Sequence, residues 1–219
     1  MVQAWLMCSP VVNKSAPCAC DPPVDISTAE IDKIGILTKY IPVVEKEELI
    51  EKVCEERGYK FRDELVISKE KLSNYEEEIP VVEKEELIEK VCEERGYKFR
   101  DELVISKEKL SNYEEEIKKF FEEHMHTDEE ARYVLDGSGY FDVRNHNDEW
   151  IRIAVQPGDA VILPPGIFHR FTPDHRDYVH FLRLFKDNQQ WVAHNRNELA
   201  KVMSIRQQYL KDYIENIEK

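Results

Sequence analysis

EARYVLDGSGYFDVRNHNDEWIRIAVQPGDAVILPPGIFHRFT, residues 130–172, decides the fold. Short runs rich in Val, Ile, Phe, Tyr and Trp alternate with turn residues. Residues 132–135 and 140–144 flank Asp136-Gly-Ser-Gly139, the signature of a hairpin. Residues 150–155 run into the turn Gln156-Pro-Gly-Asp159, residues 160–163 into Pro164-Pro-Gly166, and residues 167–172 follow. Further on, residues 178–185 close the series. Strands this short and evenly spaced, with no helices between them, predict an antiparallel barrel or sandwich. The expected class is mainly β with flanking helices, α+β.

Upstream lies a perfect internal repeat. Residues 41–78, IPVVEKEELIEKVCEERGYKFRDELVISKEKLSNYEEE, recur unchanged as residues 79–116. Solenoids repeat at such periods, but they stack three or more drifting copies. Two identical copies followed by a different architecture indicate a duplicated segment, or an error in assembling the gene model. Each unit reads as helix, strand and the start of another helix. In the first copy Leu49, Ile50 and Val53 form a helical stripe that Gly58 ends, residues 64–68 form a strand, and Ser73 or Asn74 caps the next helix. The second copy is continuous with the strand that follows it, so it is expected to hold the native place. The first copy is then expected to bulge out as a solvated, partly helical insertion. Long surface insertions cost little, since each doubling of loop length adds only ~0.6 kcal/mol.

Further out, Ser27-Thr-Ala-Glu30 is a capping box that opens a short helix ending near Gly35. Residues 197–217 are polar and helix-prone, with Leu199, Val202, Met203, Tyr209, Leu210, Tyr213 and Ile214 at roughly helical spacing. That tail reads as a surface helix.

The 219 residues suffice for one domain with a real core, and 42% hydrophobic with 35% charged residues is the composition of a soluble globular protein. A net charge of −14 argues against non-specific binding to nucleic acid or anionic membranes. Each repeat unit carries 12 acidic and 7 basic residues, so two copies supply −10 of that charge. The acidity is mostly a by-product of duplication. No apolar run approaches the ~20 residues of a membrane span, and residues 1–12 lack the basic region of a signal peptide. An intracellular protein is expected. Of the five cysteines, Cys54 and Cys92 are copies of one position, and Cys18-Ala19-Cys20 lacks the spacing and second ligand pair of a zinc site. Reduced thiols on a loose N-terminal segment are the expectation.

His124-Met-His126 places two imidazoles at i and i+2, on one face of a strand. Glu130 and Arg132 keep that parity if the strand runs on without a bulge, and His169 starts or joins another strand just after Pro-Pro-Gly. An isolated H-x-H is also the pattern of two surface histidines; here it stands at fixed spacing before a Glu and a P-x-G-x-x-H. Three imidazoles and a carboxylate suit iron, nickel, copper, manganese or zinc rather than calcium or magnesium. Four ligands on an octahedral ion leave two positions open, as a catalytic metal needs. His146, His175, His180 and His194 are assigned to loops or packing.

These spacings match both cupin signatures: H-x-H-x3-E-x6-G over residues 124–137 and G-x5-P-x-G-x2-H over residues 158–169. Lys118 stands where the first signature has an early glycine, and Pro173 where the second has an asparagine; neither touches a ligand. The fold implied is a cupin-type antiparallel β-barrel, or jelly roll. Within the cupins, FFEEHMHTDEEARYVLDGSGYFDVR, WIRIAVQPGDAVILPPGIFHRFT and FLRLF resemble the acireductone dioxygenases of methionine salvage, as do the opening MVQAW and LSNYEEEIKKFF. The resemblance spans the chain except one repeat copy, residues 11–24 and the C-terminal tail. Without 38 surplus residues, 181 remain, about the family's length.

The resemblance implies that His124, His126, Glu130 and His169 bind one Fe(2+) per chain, with Ni(2+) as the alternative metal. It implies that Arg132 and Arg183 bind substrate and that Phe171 packs against it; no general base is identifiable. The implied reaction cleaves 1,2-dihydroxy-3-keto-5-methylthiopentene with O2. The iron form yields 4-methylthio-2-oxobutanoate and formate, the nickel form methylthiopropionate, formate and CO. An enediolate is a bidentate oxygen donor, and two arginines in a low-dielectric barrel would offset its charge. The competing readings are a non-catalytic metal-binding cupin acting as a regulatory module, and a chain inactivated by the duplication. The two arginines favour the enzyme, because a binding module has no need of a cationic pocket. The expected plan is one cupin domain over 1–219: strand and helix in 1–40, the insertion 41–78, the native copy 79–117, the metal-binding barrel 118–190 and the tail 191–219. The expected partners are the small-molecule substrate and O2, with no nucleic acid and no transmembrane segment. A monomer is expected, cytoplasmic and small enough to enter the nucleus.

Overall fold

Ser27 caps helix α1 (Thr28–Lys33) as the capping box requires: its side chain accepts from the Glu30 amide, and the Glu30 carboxylate accepts from the Ser27 amide at 2.8 Å. The computed structural model describes residues 2–7, 13–41, 84–186 and 192–215. Before α1 lies strand β1 (Gln3–Leu6), and after it β2 (Leu37–Tyr40). Helix α2 (Lys84–Arg95), strand β3 (Phe99–Ile105) and helix α3 (Tyr113–Phe121) come next. The β-rich stretch supplies β4 (His124–Met125), β5 (Glu130–Gly137), β6 (Gly139–Arg144), β7 (Trp150–Val155), β8 (Asp159–Leu163), β9 (His169–Pro173) and β10 (Val179–Phe185). A short β11 (His194–Asn195) leads to α4 (Glu198–Val202), α5 (Ser204–Tyr209) and a π-helical turn (Leu210–Ile214). No helix among the described residues is long and apolar enough to cross a membrane.

All strands pair antiparallel, in two sheets: β1-β7-β6-β9-β4-β11 and β2-β8-β5-β10-β3. The mainly β class with flanking helices stands. The expected barrel takes the form of two sheets that no strand pairing among the described residues joins. They meet through one core, where Val134, Val161, Leu163, Val179 and Phe181 of the five-stranded sheet pack against Phe141, Val143, Ile151, Ile153 and Phe171 of the six-stranded sheet.

The hairpin expected at Asp136-Gly-Ser-Gly139 does not form. Strands β5 and β6 belong to different sheets, and Ser138 alone connects them. The turn is a corner. Gly137 has φ +73°, and a Cβ there would collide with the Tyr178 carbonyl oxygen, so the chain can bend this sharply only without a side chain. Residues 156–159 make a second corner, from β7 into β8 of the other sheet.

The second repeat copy adds β3 to the edge of the five-stranded sheet and lays α2 on its outer face. Ile88, Val91 and Cys92 of α2 pack with Tyr97 on Ala131, Tyr133, Ala160, Ile162 and Leu184. The helix ends in a Schellman motif, with Gly96 at φ +71°, its amide donating to the Glu93 carbonyl and that of Tyr97 to the Cys92 carbonyl. This is the stop expected of the repeat's glycine. The Asn at the start of the next helix differs from expectation. Asn112 holds the N-cap position of α3 in the left-handed region (φ 56°) and makes no side-chain cap bond; three glutamates in the first turn complement the helix dipole instead. The expected elements of the first copy lie outside the described residues, except Ile41. That residue is 1% exposed, donates to the Gly158 carbonyl and accepts from the Tyr133 hydroxyl, so it belongs to the core and not to an insertion.

Two further expectations are corrected. The tail is no simple surface helix: Leu199 and Val202 are exposed, but Tyr209 is buried and donates to the Ile34 carbonyl at 3.1 Å, and Leu210, Tyr213 and Ile214 pack on the main core. Nor is the described part of the segment ahead of α1 loose. Arg152 is fully buried on the outer face of the six-stranded sheet, held by Asp142 at 2.7 and 2.8 Å, and it donates to the carbonyls of Lys14 and Ala16. Trp5 Nε1 donates to the Pro17 carbonyl at 2.8 Å. The segment therefore satisfies a guanidinium buried away from solvent. Cys18 and Cys92 are free thiols.

Candidate metal centre

His124 and His169 sit directly opposite each other in the β4–β9 register, so two imidazoles meet on one face of the six-stranded sheet. The expected continuous strand through His124, His126, Glu130 and Arg132 is interrupted. Strand β4 stops at Met125, and by Glu130 the chain has crossed into the five-stranded sheet. Glu130 therefore approaches from the facing sheet. In β5, Ala131 and Tyr133 point toward α2, while Val134 joins the core between the sheets. The two-residue strand period puts Glu130 and Arg132 on the inner side with Val134.

The four side chains converge. One donor atom from each of His124, His126, Glu130 and His169 lies within 4.8 Å of the other three, and among the described residues no other group of His, Cys, Asp or Glu has this arrangement. Each imidazole is oriented by a backbone carbonyl on Nδ1: Glu122 for His124 at 2.7 Å, Val192 for His126 at 2.9 Å and Ile167 for His169 at 3.0 Å. A carbonyl can only accept, so each Nδ1 carries the proton and each Nε2 presents a lone pair. The Nε2 atoms of His169 and His126 face Glu130 Oε2 at 3.0 and 3.1 Å. With neutral imidazoles, acceptor faces acceptor at that distance and repels unless a proton or a metal ion lies between them, and the donor set fits a metal ion. Burial above all pushes the His124 pKa down to about 3. Burial alone would raise the Glu130 pKa, but the positive charge of Arg132 above all holds it well below the ordinary carboxylate range. Its other oxygen, Oε1, lies 3.2 Å from the Arg132 guanidinium.

A family model described as the ARD/ARD' family matches residues 3–193. The chain belongs to that family. Among curated relatives of the family, the human acireductone dioxygenase is 51% identical over 213 residues, covering 96% of this chain and 97% of its own. That of Phaeosphaeria nodorum is 48% identical, covering 85% and 83%, and that of Branchiostoma floridae is 37% identical, covering 96% and 97%. In fold, the chain resembles the acireductone dioxygenase from Bacillus anthracis, solved with a cadmium ion in its active centre. The TM-score is 0.56 at 21% identity, over 88% of this chain and 97% of that one.

The remaining residues singled out on resemblance to the family divide. Arg132 stands beside the cluster, 9% exposed. Arg183 is its direct neighbour in the β5–β10 register, but its guanidinium grips Asp101 of β3 through two 2.6 Å bonds. Phe171 lies in the core between the sheets, its ring 4.9 Å from that of Phe141 and 5.2 Å from that of Phe181. Sequence reasoning missed what holds the cluster. Glu129, in the crossing between the sheets, accepts from Tyr97 at 2.9 Å, sits 3.0 Å from Lys186 Nζ and pairs with Arg95. Glu123 is bonded by both Arg144 and Arg196. The run Glu122-Glu123 ahead of His124 was the visible signal, and its partners lie too far along the chain for spacing to find them.

Proposed function

We propose that this chain is a metal-dependent dioxygenase that cleaves acireductone, 1,2-dihydroxy-3-keto-5-methylthiopentene, with O2 in methionine salvage. The observation that carries the reading is the convergence of three Nε2 lone pairs and one ionised carboxylate beside a buried arginine, in a chain of the ARD/ARD' family. His124, His126, Glu130 and His169 would hold Fe(2+), with Ni(2+) as the alternative. Bound there, such an ion supplies Lewis-acid and redox chemistry. The protein residues supply the rest. Glu130 stays ionised at neutral pH, and each Nδ1–H bond to a carbonyl keeps an imidazole in the ligating tautomer. Arg132 offers a buried positive charge to an anionic enediolate, where low dielectric strengthens the contact. Arg183 is the second cation in reach, and Phe171 an apolar surface that helps to exclude water.

On this reading the iron form gives 4-methylthio-2-oxobutanoate and formate, and the nickel form methylthiopropionate, formate and CO. The two sheets would be the halves of a cupin jelly roll in a single domain, with the second repeat copy in the native place. The chain would act as a cytoplasmic monomer with access to the nucleus, which sedimentation and imaging of a tagged chain would test. The decisive experiment is oxygen uptake by apo-protein reconstituted with Fe(II) and given enzymatically generated acireductone, beside a His169→Ala control. Rapid uptake absent from the control is expected. No uptake with one metal tightly bound per chain would point to a binding module, and no uptake without metal to a site broken by the duplication.

A further inference from the structure

The chain returns to the metal centre after its last long strand. The Val192 carbonyl accepts from His126 Nδ1 at 2.9 Å. Strand β11 pairs with β4, His194 opposite Met125 and Asn195 opposite His124. The Arg196 amide then donates to the Glu123 carbonyl at 2.8 Å, and its guanidinium reaches Glu123 Oε1 at 2.7 Å and both oxygens of Asp148 at 2.9 and 2.8 Å. Arg144 grips the same Glu123 carboxylate through two bonds of 3.0 Å.

Why should so much chemistry gather on Glu123? Strand β4 has two residues, and its register with β9 is the single pair His124–His169. A strand so short has little ladder to define its direction. The residue before His124 is therefore anchored by side chain. Glu123 and Asp148 carry two negative charges, Arg144 and Arg196 two positive ones, and all but Asp148 are largely buried. A network that shares its members fixes geometry better than isolated surface pairs do. Arg144 comes from β6, within the same sheet, while Arg196 ties the site to a segment remote in sequence.

We propose that Arg196 is a positioning residue for the metal centre. Acting through Glu123 and the β11–β4 pairing, it sets the direction from which the His124 imidazole meets the ion, and the segment it anchors carries the Val192 carbonyl that orients His126. The inference rests on the reading that these histidines hold a metal.

The test is Co(II) titration of full-length apo-protein, read by the d–d absorption bands that report ligand geometry, with thermal unfolding of the same metal-free samples. The variants are Arg196→Ala, Arg196→Lys and, as a control on the other sheet, Arg100→Ala, which breaks an exposed pair with Glu89. Arg196→Ala should bind Co(II) about 10- to 100-fold more weakly, as loss of ligand-orienting partners does, with altered bands. Arg196→Lys keeps the charge but not the fork, and should recover part of the affinity. Arg100→Ala should leave the bands unchanged. Wild-type affinity and bands in both Arg196 variants, even with a lower Tm, would overturn the inference, since a merely structural arginine shifts unfolding without moving the spectrum. If Arg196→Ala does not fold, Arg196→Lys against wild type decides on the same readouts. A wild-type chain that binds no Co(II) would sink the metal-site reading and this inference together.

Discussion

Arg132 faces two demands. Its guanidinium balances Glu130 at 3.2 Å and bonds the Ala131 carbonyl at 3.1 Å, while Arg183 stands beside it on the next strand. Burial draws its pKa down and Glu130 draws it back up, so the charge is kept. If Arg132 also receives the substrate, Arg132→Lys preserves the balance to Glu130 but loses the planar fork. A charge-assisted bond is worth about 1.5–3 kcal/mol, so kcat/KM should fall roughly 10- to 100-fold while Co(II) affinity stays within a few-fold. Unchanged kinetics would reduce Arg132 to a counter-ion. The four converging residues were legible in the sequence because their chemistry resides in side chains at fixed spacing. Their supports were not. The carbonyls of Glu122, Val192 and Ile167 carry no sequence signal, and the bonds of Arg196 to Glu123 and of Arg95 to Glu129 join residues far apart in the chain.

Strands were easier to read than the sheets they join. Alternation and β-branched runs marked residues 132–185 correctly as short strands, but turn residues announce only that a chain reverses, not which sheet receives it. Hence Asp136-Gly-Ser-Gly139 has the composition of a hairpin and is a corner. That corner has its own fastener. Ser138 Oγ donates to Asp174 Oδ2 at 2.6 Å, the Asp174 amide donates back to the Ser138 carbonyl, and the Arg176 amide and Nε complete the carboxylate's shell. Burial opposes ionisation of Asp174, but the bonds from Ser138 and Arg176 outweigh it and lower the pKa. Protons therefore prefer the unfolded chain. The stabilisation is complete above the unfolded value of about 4 and drains away as pH falls through the lower folded value. Asp174→Asn should lose about 1 kcal/mol at pH 7, a Tm drop of roughly 2–4 °C for a chain this size, and the gap should close in acid. A gap that persists unchanged below pH 3 would show that the carboxylate charge is not what fastens the corner.

At the scale of the whole chain, the duplication poses a question of connection. Ile41, the first residue of the first copy, is buried just after β2, and from Lys84 onward the second copy supplies α2, β3 and the start of α3. The fold thus takes its parts from both copies, and residues 42–83 join them. Because the copies are identical, removing 41–78, 79–116 or any window of the same length between them yields one and the same chain, in which Pro-Val-Val-Glu alone links the isoleucine to the helix. Had the first copy docked instead, Pro80 would fall where Lys118 continues α3, and proline inside a helix costs about 3 kcal/mol. That penalty favours the arrangement seen. Shortening the connection roughly tenfold recovers at most about 2 kcal/mol of loop-closure entropy. The shortened chain should therefore unfold at the same temperature or up to several degrees higher, and consume oxygen at the parent rate per bound metal. Equal activity with a raised Tm would make the extra copy a passenger. A shortened chain that folds but loses metal or turnover would mean that residues 42–83 support the site, and would overturn the view that one copy is surplus.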